Sequence, residues 1–203
     1  MEHSANHILL RGSLASLPQF SHENHSLRFF RFFLKVPRLS GTVDTLPVVA
    51  EETILNSFDL SGGEMLTITG QVRSHNIRAN GCRHLKIFVF ARSIVCEDGE
   101  PLNEVILEGP VCREPNYRRT PLGREICDVM LAVPRAFKRA DYLPCILWGR
   151  TAQEASRCHT RDRILICGRL QSRIYTKLTE EGSEERTAYE ISALTAEFPE
   201  AIL

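Results

Sequence analysis

No run of roughly 18 apolar residues occurs in the 203-residue chain, so nothing in it reads as a membrane-spanning helix. The opening Met1-Glu2-His3-Ser4 lacks the charged-then-apolar pattern of a secretion signal. An excess of one charge is missing too: 25 Lys and Arg face 25 Asp and Glu. A chain-wide basic field for nucleic acid is thereby excluded, and any such attraction has to come from local distribution. The seven cysteines (Cys82, Cys96, Cys112, Cys127, Cys145, Cys158 and Cys167) are odd in number and form no Cys-x-x-Cys pair. That removes the signature of a disulfide framework, and their alternation with Val, Ile and Leu reads as small buried hydrophobes. His75 and His84 show no ligand spacing with Cys82, so no metal site is expected. No Gly-x-x-x-x-Gly-Lys-[Ser/Thr] phosphate loop is present, and Cys158-His159 is adjacent rather than arranged as nucleophile and base. The chain is accordingly read as a cytoplasmic binding protein, with no enzymatic activity and no cofactor.

What the chain does have is strand-forming sequence. An apolar fraction of 43% with 25% charged residues suits a folded protein. Apolar runs at residues 6–14 (ended by Pro18), 27–36, 43–50, 65–72 and 85–95 predict five strands, with a short helix over 51–58 between the third and fourth. The polar stretch Glu97-Asp98-Gly99-Glu100-Pro101 follows, and then the pattern restarts. Leu10-x-Gly12 recurs as Leu107-x-Gly109, Val36-Pro37-Arg38 as Val133-Pro134-Arg135, and Asp44-x-Leu46-Pro47 as Asp141-x-Leu143-Pro144, each 97 positions on. Gly70 and Ser74 recur as Gly168 and Ser172, 98 positions on.

The second copy predicts strands at 104–112, 126–133, 142–148, 163–170 and 187–194, with a helix over 151–158 that places Ala152 and Ala155 on one face. Strand-strand-strand-helix-strand-strand is the order of the OB fold, a five-stranded Greek-key barrel. The expected fold class is all-β: two tandem OB-fold domains at residues 1–96 and 104–203, each with a short helix at most, joined by a linker at 97–103. Pro47 and Pro144 fall inside the third strands and demand an edge or a bulge there.

Charge is unevenly spread. Between Arg113 and Lys177, 14 basic residues stand against six acidic ones, and acids gather instead at Glu180, Glu181, Glu184 and Glu185 in an expected hairpin tip. Tyr117, Phe137, Tyr142, Trp148 and Tyr175 interleave with those cations. Tyr142 and Trp148 are six residues apart, so a strand of period two turns both to one face. Arg169, Gln171, Arg173 and Tyr175 share one parity along a further strand. Cations that track phosphates, with rings on which bases stack, are what single-strand binding without sequence preference requires. Arg118, Arg119, Arg124, Arg135, Lys138, Arg150, Arg169, Arg173 and Lys177 are the candidate phosphate ligands.

Val105-Ile106-Leu107-x-Gly109, Arg119-Thr120-x-x-Gly123, Leu131-Ala132-Val133, Trp148-Gly149-Arg150-x-Ala152, Gly168-Arg169-Leu170-Gln171-Ser172-Arg173-x-Tyr175 and Tyr189-Glu190 resemble the bacterial single-stranded DNA-binding protein (SSB) family over most of residues 104–194. The resemblance implies that Phe137, Tyr142, Trp148 and Tyr175 stack on bases. It implies cooperative, largely sequence-independent binding and protection of single-stranded DNA in replication, repair or recombination, at the nucleoid, with replication or repair proteins as partners. Members with two barrels per chain form dimers, so a homodimer presenting four OB folds is expected. Members commonly end in a long linker and an acidic tip, whereas this sequence ends Phe198-Pro199-Glu200-Ala201-Ile202-Leu203. Recruitment through such a tail is therefore not expected.

The first copy departs from the pattern. Ser40, Thr45, Glu51 and Ile77 stand where the second copy has Phe137, Tyr142, Trp148 and Tyr175. Its Phe29, Phe30, Phe32 and Phe33 read as core or interface, and the domain as structural, with Arg28, Arg31, Arg38, Arg73 and Arg78 helping with phosphates at most. The competing class is an OB-fold scaffold of a replication-restart type assembly with weak DNA or RNA binding. The ring set and its basic surround are what a pure scaffold has no need of.

Overall fold

Each half of the chain closes a β-barrel. The structure, a computed structural model, describes residues 5–79, 82–179 and 182–198. In the first half, β1 (Asn6–Asn24), β2 (Leu27–Pro37), β3 (Val43–Glu51), α1 (Glu52–Leu55), β4 (Met65–Ala79) and β5 (Cys82–Cys96) follow in order. β1 pairs antiparallel with both β2 and β4, β2 with β3, and β4 with β5; a short parallel pairing of β3 with β5 completes the ring. The second half comprises β6 (Leu102–Pro110), β7 (Asn116–Arg119), β8 (Glu125–Arg135), β9 (Arg139–Trp148), α2 (Gly149–Ala155), β10 (Arg163–Thr179) and β11 (Gly182–Glu197). Its pairings repeat the first set, and the Val111–Leu131 bridge with Cys112 N–H donating to the Met130 carbonyl closes β6 against β8.

The alternation that predicts strands is what fills the barrels. Ile8, Leu10 and Leu14 of β1 point inward, as do Val105 and Leu107 of β6. Ala152 and Ala155 of α2 pack into the same core, small enough to seat the helix against the barrel.

β1 does not end at Pro18. Pairing with β2 continues to Asn24, with register shifts between Leu14 and Ser16 and between Ser16 and Gln19. Pro18 sits within that irregular stretch, where its missing N–H costs no regular ladder bond. In the second half the same path is broken, and β7 takes the place of the distal part of β1: Asn116 pairs with Asp128 as Gln19 pairs with Arg31. The edge that Pro47 and Pro144 demand is present. Each pairs with the preceding strand, while the parallel pairing on the other side begins only with the next residue, at Val48 and Cys145.

The β4–β5 and β10–β11 hairpins are longer than the apolar runs predict, because their outer halves are polar arms whose registers continue to Ala79–Cys82 and Thr179–Gly182. Of the expected acidic tip, Glu180 and Glu181 lie outside the described residues, and Glu184 pairs with Arg186 at 2.8 Å.

The halves join through β1 and β6, which pair antiparallel to make one 11-stranded sheet. Ile8 lies opposite Val105, its own counterpart 97 positions on, so the junction has an approximate two-fold axis. Counterpart contacts recur on both sides of it. The Asn6 side chain bonds the Val72 backbone as Asn103 bonds that of Leu170. Asp44 accepts from Ser172 of the second half, and Asp141 from Ser74 of the first.

Candidate nucleic-acid interface

β9 builds the centre of the site. Its inward positions are Leu143, Cys145 and Leu147, which leaves Tyr142, Pro144, Ile146 and Trp148 on the outer face. Tyr142 is held by its backbone N–H, which donates to the Ser74 hydroxyl of the first domain at 2.7 Å. Trp148 is held at both ends: its indole N–H donates to the Ser192 hydroxyl at 3.2 Å, and its carbonyl accepts from the Thr151 hydroxyl at 2.8 Å. The Trp148 ring is thus held in place, which leaves it little conformational entropy to lose on binding, while at Tyr142 it is the backbone that is held.

Phe137 crowns the three-residue turn between β8 and β9, where Arg135 pairs with Arg139. It and Lys138 take positive φ of 60° and 55°, which turns the backbone tightly. Tyr175 stands on the β10 arm with the Arg173 guanidinium 5.6 Å from its ring centre. Exposure is 92% for Phe137, 42% for Tyr142, 37% for Trp148 and 38% for Tyr175.

Three grooves lie on the same part of the surface. One of about 500 Å³ has Pro144 and Ile146 in its wall and Arg113, Asn116, Arg118 and Arg173 around it. A second, of about 580 Å³, shares Pro144 and places Tyr175 opposite Ile77, Leu85 and Lys86 of the first domain's β4–β5 arm. A third, of about 330 Å³, holds Phe137 with Arg73, Arg135 and Arg139.

The cations have partners. Arg118 grips Asp128 through two nitrogens, at 2.8 and 3.3 Å, and that hydrogen-bonded carboxylate raises its pKa. Arg119 meets Glu125 at 2.9 Å, Arg150 meets Glu154 at 3.0 Å on α2, and Arg173 lies 3.6 Å from Glu190. Phosphates would therefore exchange with carboxylates rather than fill an empty cradle. Arg135 and Arg73 share Asp141, at 3.4 and 3.3 Å. Burial, and then the nearby Arg135 charge, lower the Arg73 pKa against the pull of Asp141.

Of the cations named from the sequence, Arg118 and Arg173 gather at the first groove, and Arg135 and Lys138 stand beside Phe137. Arg119 and Arg124 flank the β7–β8 turn, Arg150 projects from α2, and Lys177 lies out along the β10 arm. Arg169 is elsewhere: it lines a groove with Arg38, Asp44 and Glu100. Arg113 belongs to the same basic run and was within reach of the pattern. Arg73 was expected to help with phosphates at most, and Lys86 carried no signal in the sequence; only the docking of the two barrels brings them to the second domain's rings.

Cys127, Cys145 and Cys158 are buried, and burial drives their thiol pKa values up, to about 11 for Cys127. Cys96 and Cys112 are exposed, contrary to the reading of these cysteines as buried hydrophobes. The Cys82 side chain falls outside the described residues. Among the described residues, no three His, Cys, Asp or Glu side chains are grouped as a metal site requires, and no helix is long and apolar enough to cross a membrane.

Residues 102–199 match the model of the single-strand binding protein family. The chain is 38% identical over 80 residues to single-stranded DNA-binding protein B of Bacillus subtilis (strain 168), covering 36% of this chain and 71% of that protein. It is 31% identical over 108 residues to a single-stranded DNA-binding protein of Oceanobacillus iheyensis, covering 49% of this chain and 64% of the relative. Among solved structures, the wild-type single-stranded DNA binding protein from Thermus aquaticus superposes with a TM-score of 0.78 at 24% identity. That likeness covers 96% of this chain and 92% of the other, so the fold is shared across both barrels.

Proposed function

Because the chain belongs to the single-strand binding protein family, we propose that it binds and protects single-stranded DNA without reading its sequence. Bases stack on Phe137, Tyr142, Trp148 and Tyr175, and Arg118, Arg135 and Arg173 take phosphates between them. The observation that carries this reading is the arrangement around β9, where the exposed rings of Tyr142 and Trp148 share one outer face and grooves with cations in their walls hold Phe137 and Tyr175 on either side. The role is one of binding in replication, repair or recombination, in the cytoplasm at the nucleoid, with no reaction assigned. By family likeness the chain works as a homodimer with four barrels, and replication or repair proteins are its protein partners.

Trp148 is the one tryptophan, so the test is direct. Adding oligo(dT) should quench its fluorescence, with double-stranded DNA a poor competitor. Unchanged emission in the presence of saturating oligonucleotide would remove Trp148 from the site.

A further inference from the structure

The first domain lacks the four rings at their familiar positions, but the strand registers show that aromatic residues stand at neighbouring ones. Ile126 pairs with Trp148 in the second domain; the counterpart pair in the first is Phe29 with Glu51. Ile146 pairs with Ser192, the residue that holds the Trp148 indole, and the counterpart pair is Val49 with Phe90. Gln171 pairs with Glu190, and its counterpart is Arg73 with Phe88. Where one domain puts a ring at the end of its third strand, the other puts rings on its second and fifth.

These rings form one surface. His22 lies flat against Phe29, with centroids 4.9 Å apart and an interplanar angle of 12°, and Phe29 stands 6.0 Å from Phe90. Phe29 and Val49 are buried yet do not join the main core cluster, as Ile126 and Ile146 do not. They belong to the outer face in both domains. A cleft of about 230 Å³ opens among His22, Phe29, Phe88 and Phe90, with Arg73 and Arg135 also in its wall. The groove that holds Phe137 shares those two arginines, so the cleft continues the second domain's site. The two guanidiniums share the Asp141 carboxylate; Arg73 also stands 5.7 Å from the centre of the Phe90 ring, and its Nε has no partner among the described residues.

We infer that the same single strand crosses from Phe137 onto the first domain, with a phosphate at the Arg73–Arg135 pair and a base against the His22–Phe29–Phe88–Phe90 cleft. Flat rings beside two cations with one carboxylate suit a nucleotide better than an apolar peptide, which leaves those charges unmatched. The inference rests on the DNA-binding reading of the second domain, so the test separates the two.

Trp148 quenching with a dT oligomer of about 8 nucleotides, within the roughly 4–16 that one barrel covers, reports the second domain alone. Nitrocellulose retention of an oligomer of about 32 nucleotides reports both domains. The His22→Ala/Phe88→Ala variant should quench normally with the short oligomer, lose roughly ten-fold in affinity for the long one, and cover fewer nucleotides per chain. Unchanged long-oligomer affinity and coverage would overturn the inference and leave the second-domain reading intact. A change in sedimentation alone would mark the face as a contact between chains and also overturn it. Failure of the unaltered protein to bind either oligomer would overturn both readings. Should the variant not fold, bromodeoxyuridine cross-linking of the unaltered protein decides: adducts at residues 19–24 or 84–92 support the inference, and adducts confined to the second domain reject it.

Discussion

The Asp44 carboxylate of the first domain accepts the backbone N–H of Ser172 in the second at 2.7 Å, across 128 positions of chain. The relation is returned: Asp141 accepts the N–H of Ser74 at 2.7 Å, 67 positions away. Each carboxylate is buried and also bound by arginine, Asp44 by Arg38 and Asp141 by Arg73 and Arg135. Two like bolts therefore hold the barrels together on either side of the β1–β6 junction. One of them reaches the candidate site, because Ser74 also accepts the Tyr142 N–H.

Asp141→Ala would leave two guanidiniums and a backbone N–H without their acceptor. A loss of about 3–5 kcal/mol in unfolding free energy is expected, as when one side of a buried ion pair is removed. Asp44→Ala should cost a comparable amount. Urea midpoints check both, and a midpoint within error of the unaltered protein would show that the bolts are idle. Asp141→Ala should also weaken oligonucleotide binding more than Asp44→Ala, since only it disturbs Ser74 under Tyr142.

Acid should loosen the same junction. Burial alone would raise the Asp44 carboxyl, but the Arg38 and Ser172 hydrogen bonds outweigh it and hold it below the ordinary carboxylate range. A depressed carboxylate stabilises the fold above its unfolded pKa of about 3.9, and that stabilisation fades as pH falls through the folded value. Glu64 adds to the trend: hydrogen bonds from the Ser61 hydroxyl and backbone hold it at about 2. Thermal midpoints should be flat with respect to these groups from pH 5 to 7 and fall below about pH 4. Asp44→Asn should flatten part of that fall.

Tyr142→Ala and Trp148→Ala should each weaken binding by about 1–3 kcal/mol. Arg173→Ala should reduce the slope of log affinity against log salt by about 0.7, the share of one phosphate on a single strand. Arg169→Ala should leave that slope alone, because its groove lies apart from the rings. Equal slopes for all three proteins would remove Arg173 from the phosphate path.

Gly168 sits at the register shift where β10 crosses β11, and an added Cβ would run into the Ser192 carbonyl and the Ala193 backbone. Gly168→Ala should cost about 1–3 kcal/mol by overpacking. Through Ser192 it should also alter Trp148 emission in the free protein.

The repeat was legible because its marks are structural necessities. Gly70 and Gly168 stand where a strand crosses too closely for a Cβ, and Asp44 and Asp141 are buried acceptors with fixed partners. Tyr142 and Trp148 were legible as rings on one face because alternation along β9 sets which side chains face out. The long arms, β7 and the passage of β1 through Pro18 were not, since polar outer halves and bulges break the apolar alternation that marks a strand. The contacts between Asp44 and Ser172, and the gathering of Arg73 with Phe137, were not legible for a different reason. They join residues whose proximity depends on how the two barrels dock, which no local pattern encodes.

The pairing of Ile8 with Val105 also bears on what kind of assembly this chain is. Two separate copies joined at that axis would carry the same side chains on both faces and would part on dilution. Here residues 97–101 tether β5 to β6, so the partnership forms at a high effective concentration and in fixed one-to-one ratio. Freed from self-complementarity, each half could change alone. Glu51 opposite Phe29 and Trp148 opposite Ile126 show that the halves now differ at matched positions of one polypeptide.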